Sequence, residues 1–153
     1  MPDIDVFDTP AASTELDAWL AERRKKFPVW ANQYPGTWDY SPGSIDALTE
    51  LALKLFHTTE QFNDPANADF VDGSSWYLGE VLCRSVGARW VHRPHMAARD
   101  GSPPAAGYHV QINDDADTTS PFRLLRLSIT TKEHEARGLH DDWVAHVKGG
   151  HSR

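Results

Sequence analysis

Glu80 and Arg84 stand four residues apart in a run that is otherwise mostly apolar, from Phe70 to Val86. On a helix that spacing puts them on one side. If both are buried they must pair, because an unpaired buried charge is strongly destabilising. A carboxylate so placed has its pKa raised and is suited to acid–base work. The plain alternative is a structural pair along the one wet stripe of the helix. The chain also carries eight histidines. His92 and His95 have His-x-x-His spacing where a strand runs into a loop, and His109 falls on what reads as a neighbouring strand. Three imidazoles with an open position suit a catalytic zinc. That requires the strands to pair so that His109 joins the other two, with Arg93 between His92 and His95. There is no His-Glu-x-x-His. His134, His140, His146 and His151 lie in a polar C-terminal region and read as solvated. The expectation is no cofactor and no resident metal, with Glu80 and His109 as the acid–base pair to examine and His92 and His95 as the ligands.

Other reactive groups point to simpler roles. Cys83, the single cysteine, lies mid-helix, away from the helix N-terminus that would favour a thiolate, and reads as a buried structural thiol. Ser74-Ser75 lack a nucleophile-elbow frame. The glycines are dispersed, with no phosphate-loop pattern. Asp114, Asp115 and Asp117 lack the calcium-loop frame and read as a solvated turn. Arg23-Arg24-Lys25-Lys26 has phosphate-contacting chemistry, yet as the final turn of a helix it is explained by the macrodipole.

The segment 27–40, FPVWANQYPGTWDY, concentrates Phe27, Trp30, Tyr34, Trp38 and Tyr40 around a Pro35-Gly36 turn. It reads as an aromatic connection with no clean period. Large rings there either lid the core or present a recognition surface, since Trp and Tyr are enriched at binding hot spots. In the second case Trp30, Tyr34, Trp38 and Tyr40 are the binding residues, with Asn32, Gln33 and Asp39 as a polar rim.

The elements that position these groups follow from periodicity. Residues 1–12 read as a tail. Thr14 followed by Asp17 approximates a capping box, and Leu16, Trp19, Leu20, Arg23 and Phe27 keep helical spacing up to Pro28, giving a helix over 14–26. Ser41-Pro42 starts a second helix with Ile45, Leu48, Ala52 and Phe56 inward and Asp46, Glu50 and Lys54 outward. It fades near 58–61, and 63–65 reads as loop. A third helix over 69–86 is apolar nearly all round, hence central and buried. Gly79 within it predicts close approach of another element, and Gly87 caps it. Arg89–His92 reads as a strand, 94–106 as loop, and 108–112 as a half-buried strand by its alternation. Residues 120–130 are ambiguous. Leu125, Leu127 and Ile129 alternate, but Ser120-Pro121 signals a helix, which we expect over 121–127. A last amphipathic helix spans 139–148, with 149–153 as a tail. The fold class is α+β: N-terminal helices with a central buried helix, a small antiparallel sheet and a C-terminal amphipathic helix.

The run Trp76-Tyr77-Leu78-Gly79-Glu80-Val81, followed by Gly87-Ala88-Arg89-Trp90 and later by Pro121-Phe122, resembles small uncharacterised bacterial domains in which an aromatic-Leu-Gly-Glu helix leads into a strand with tryptophan. The resemblance covers about residues 41–128. It implies helices packed on a small sheet and no established activity. Related-looking domains occur as immunity partners of toxins.

With 153 residues the chain reads as a single domain. The net charge of −7 opposes nucleic-acid binding, which needs cations against phosphate, and suits a basic protein partner. The opening residues lack a signal-peptide pattern, no run is long enough to span a membrane, and one cysteine argues against a disulfide-stapled secreted protein. The expectation is a cytoplasmic, acidic binding protein acting through a protein–protein interface, immunity-like or accessory, with no nucleic-acid or membrane partner. The alternative is a histidine-based enzyme or metal protein using His92, His95 and His109 with Glu80.

Overall fold

The structure, a computed structural model, describes residues 14–112 and 118–150. The expected N-terminal tail, the acidic turn 113–117 and the end of the chain from 151 lie outside the described residues. The described part is mostly helical with a small antiparallel sheet, as the α+β expectation requires. Its elements are α1 (Thr14–Gln33), α2 (Pro42–Leu55), α3 (Thr59–Asn63), α4 (Ala68–Val86), β1 (Arg89–His92), α5 (Pro94–Ala98), β2 (Tyr108–Gln111), β3 (Thr118–Thr119), α6 (Pro121–Thr131) and α7 (Glu135–Gly150). Short 3₁₀ turns at Pro65–Asn67 and Pro104–Gly107 complete it.

Helix α4 is the axis of the molecule. Val81, Leu82, Leu78 and Tyr77 are fully buried, and the helix packs against α1, α2, α6, α7 and the sheet. Its end is set by Gly87 in the left-handed region, φ 72°, whose N–H donates to the Cys83 carbonyl. Ser41 caps α2, its hydroxyl accepting from the Ser44 N–H at 3.3 Å, with Pro42 at the first position. Ser120 caps α6 in the same way. The helix expected over 121–127 is therefore present, and it runs on to Thr131.

Several expectations are corrected. Pro28 does not end α1. The helix continues through it to Gln33, because Phe27, Trp30 and Tyr34 carry the apolar spacing of Leu16, Trp19 and Arg23 past the proline and pack on α4. Thr14 is already helical, so it is not the cap. The stretch around 58–67 is ordered by a capping box between Thr58 and Gln61 that starts α3. The loop over 94–106 contains α5 and the turn at Pro104–Gly107. Helix α7 begins at Glu135, earlier than expected.

The three strands form a sheet of order β1-β2-β3, all antiparallel. Val91 pairs with His109 and His92 with Tyr108. Strand β2 was expected to be half-buried, but all four of its residues are buried. One face meets Trp19 of α1 and Gly79 of α4 through Trp90 and Tyr108. The other carries His109 and Gln111, the latter within hydrogen-bond distance of Arg93.

Candidate functional site

The aromatic segment is mainly the lid of the core. Trp30 is 5% exposed. Its ring stacks on Phe27 and Phe70, and its indole N–H donates to the Phe70 carbonyl at 3.3 Å. Tyr34 stands edge-on to Phe70. Trp38 donates to the Tyr34 carbonyl at 2.7 Å and stands edge-on to Tyr77. Tyr40, at φ 62°, is held in the left-handed region by three contacts: its ring stacks on Tyr77, its N–H donates to the Tyr77 hydroxyl at 2.8 Å, and the Arg84 guanidinium lies 3.5 Å above its ring. The Tyr77 hydroxyl donates in turn to Ser44. Tyr34, Trp38 and Tyr40 are half-buried, while Asn32, Gln33 and Asp39 are exposed.

The sheet register separates the histidines. Side chains alternate along a strand and pair across it, so His92 projects with Tyr108 on one face and His109 with Val91 on the other. His92 stacks on the Tyr108 ring at 4.8 Å. His109 Nδ1 lies 3.3 Å from the Thr118 hydroxyl, while its Nε2 is buried with no hydrogen-bond partner. Burial, and then the nearby Arg93, push the His109 pKa down to about 4, so the ring is neutral at pH 7. Arg123 adds positive charge nearby. Among the described residues no three His, Cys, Asp or Glu side chains are grouped to hold a metal ion.

Glu80 is committed to structure. One carboxylate oxygen accepts from the Trp90 indole N–H at 2.9 Å, and the other lies 3.7 Å from Arg84. That is the plain i,i+4 pair, with Trp90 added. The Trp90 ring covers Gly79, the close approach the glycine predicts. Cys83 is half-buried, its thiol pushed up to about 12 by burial and then by Glu80, so it is not a thiolate at neutral pH. The hydroxyls of Ser74 and Ser75 donate back to the Phe70 and Val71 carbonyls. Two of the C-terminal histidines are not simply solvated. His140 is 3% exposed, with Nε2 3.1 Å from the Ser85 hydroxyl. His134 bridges Asp46 and Glu50, whose carboxylates raise its pKa.

The macrodipole explanation of the basic run is corrected. Because α1 reaches Gln33, Arg23–Lys26 is mid-helix, and the last turn of α1 contains no basic residue. The macrodipole acts within the terminal turn and does not account for it. Arg23 points inward and is 8% exposed. Its Nε is buried without a hydrogen-bond partner, and it makes no ion pair among the described residues. It lines a groove between α1 and α4 with a cavity volume of about 290 Å³, walled by Phe27, Trp30 and Gly73 and edged by Lys26, Val29 and Asp69. Trp30 packs so closely over Gly73 that a Cβ there would overlap its ring. Val29 is 64% exposed, the most exposed large apolar side chain described. The sequence signal was Arg23 itself, a cation occupying an apolar-stripe position between Trp19 and Phe27.

No protein-family model, curated protein or solved structure matches the chain. Function has to come from the chemistry of the site.

Proposed function

We propose that this chain is a binding protein that takes a short segment of a protein partner into the α1–α4 groove, the segment offering an apolar side chain next to a carboxylate. The observation that carries this reading is Arg23, a guanidinium withdrawn from water with an unpartnered Nε on the wall of an apolar groove. A buried donor left unmade is worth roughly 1–3 kcal/mol to whatever satisfies it, more when charged. Val29 beside it offers apolar contact, and Lys26, paired with Glu22 at 2.9 Å, stands at the rim. The net charge had suggested a basic partner; the groove favours an acidic segment instead. Trp30 and Phe27 wall the site; Tyr34 and Trp38 pack on Trp30, and Tyr40 packs on Phe27. The setting this reading implies is an accessory or immunity-type protein in the cytoplasm, with no nucleic-acid or membrane partner. No described helix is long and apolar enough to cross a membrane.

The test is a pull-down from native lysate at near-physiological salt, comparing the chain with its Val29→Glu variant. Val29 is 64% exposed, so circular dichroism should be unchanged. The expected result is one stoichiometric partner, released by Val29→Glu and by raised salt. A partner held equally by both forms, or no partner, would remove the groove as the interface. A histidine-based enzyme, the alternative, would have to run on His109 without His92 at its side, and elemental analysis of the purified chain is its first check.

A further inference from the structure

A second cavity, of about 400 Å³, lies on the other side of the α1–α4 seam. Its walls are chiefly apolar: Trp19 from α1, Phe62 from α3, Val71 from α4, and the prolines of the turn before β2. The volume falls in the range of small-molecule sites. One carboxylate, Asp72, stands on the α4 wall. Asp72 is half-buried, and among the described residues it makes no hydrogen bond and no ion pair. Burial pushes its carboxyl up, and the Arg23 charge pulls it partway back. Arg23 itself lines the neighbouring groove, and no ion pair joins it to Asp72 among the described residues. Tyr108 lines the same cavity, its phenol pushed up to about 12 by burial and then by Glu15 and Asp72, so it stays a neutral O–H. The ring is clamped between Trp19 at 4.2 Å and His92 at 4.8 Å, which fixes where that hydroxyl sits.

We propose that this cavity binds a small organic cation, an ammonium group on an apolar body, with Asp72 holding the charge and the Trp19–Phe62–Val71 walls holding the body. A carboxylate drawn out of water without a partner is unfavourable, and an ammonium supplies both the opposite charge and the missing donors. A bare metal ion does not fit. Hard cations need several oxygen ligands, and no group of three metal-ligating side chains forms here among the described residues. An anion is repelled by Asp72. A neutral apolar molecule would leave the carboxylate as it is. The site goes beyond the groove reading and does not depend on it.

The probe is phenethylammonium, titrated into the full chain by calorimetry and by amide chemical shifts, against 3-phenylpropanol as a neutral molecule of similar shape. The expected result is binding of the ammonium at least about tenfold tighter than the alcohol, the scale of one charge-assisted hydrogen bond, with shifts centred on Trp19, Asp72 and Tyr108. Asp72→Asn should erase that preference. Ala68→Trp, at an exposed position on the cavity rim, should block both probes with Asp72 intact. Val29→Glu should leave the ammonium unaffected, which separates this site from the protein-binding groove. No binding up to ~10 mM, equal affinity for the two probes, or a preference that survives Asp72→Asn would each overturn the proposal. If Asp72→Asn does not fold, the ammonium-to-alcohol ratio on the unaltered chain and the Ala68→Trp block still decide it.

Discussion

Gly79 has no room for a side chain. A Cβ there would overlap the six-membered ring of Trp90, whose indole N–H is fixed by Glu80 on the same helix. Neither partner can step aside without breaking the other contact. Gly79→Ala should therefore destabilise the fold by about 2 kcal/mol, the cost of overpacking, despite alanine's better helix propensity; urea unfolding reads the difference. His109 makes a different prediction. Its folded pKa of about 4 lies below the ordinary 6.5, so the unfolded chain takes up its proton first as pH falls. The stability due to neutral His109 is complete above about pH 6.5, declines as pH falls towards 4, and is gone below that, a loss of roughly 3 kcal/mol. His134 has the opposite sign. Its pKa is raised by Glu50 and Asp46, so its contribution is present at low pH and fades as pH rises through its folded value. The fall in urea midpoint from pH 7 to pH 4.5 should be smaller in His109→Gln than in the unaltered chain. An unchanged pH dependence would mean that the His109 pKa is not lowered in the fold.

At the scale of elements, α1 carries the main lesson about what the sequence could tell. Pro28 removes one backbone donor, the one that would reach the Arg24 carbonyl, and that local loss suggested a helix end. The apolar phase does not reset there: Phe27, Trp30 and Tyr34 continue it, and four aromatic contacts to α4 outweigh one missing hydrogen bond. Pro28 is exposed, so Pro28→Ala should restore the bond without disturbing packing and stabilise the fold by about 2 kcal/mol, again readable by urea. Where a terminus is marked by a single residue with a defined backbone role, reading and structure agree, as at Ser41-Pro42, Gly87 and Ser120-Pro121. Strand alternation located β2 but could not show that both its faces are covered, because what covers His109 and Gln111 comes from distant segments. The sites were less legible still. Arg23 stood in the apolar stripe, yet only the full length of α1 removes the dipole explanation, and nothing local to Asp72 shows that a cavity lies in front of it.

For the whole molecule, the described apolar residues form one core cluster running from Trp30 to Trp143 with α4 at its centre. The layers are not equally attached. Helix α4 is buried over most of its circumference, whereas α1 buries only Leu16, Arg23 and Trp30 outright and rests on α4 by ring contacts and the Trp30 hydrogen bond to Phe70. Segments with few buried contacts open at lower free energy than the core. Amide exchange at Ala21–Val29 should therefore be faster than at Ser74–Leu82, and comparable rates would show α1 to be part of the same cooperative unit as α4.

That loosely attached helix is also a wall of both cavities: Arg23 and Trp30 line one and Trp19 lines the other. Undocking α1 dismantles both at once. Any ligand that needs α1 in place binds only the closed form and raises its population, so filling one cavity makes the other easier to fill. The coupling needs no relay of side-chain movements between the two sites. It follows from their sharing one helix, and its size is capped by the free energy at which that helix opens.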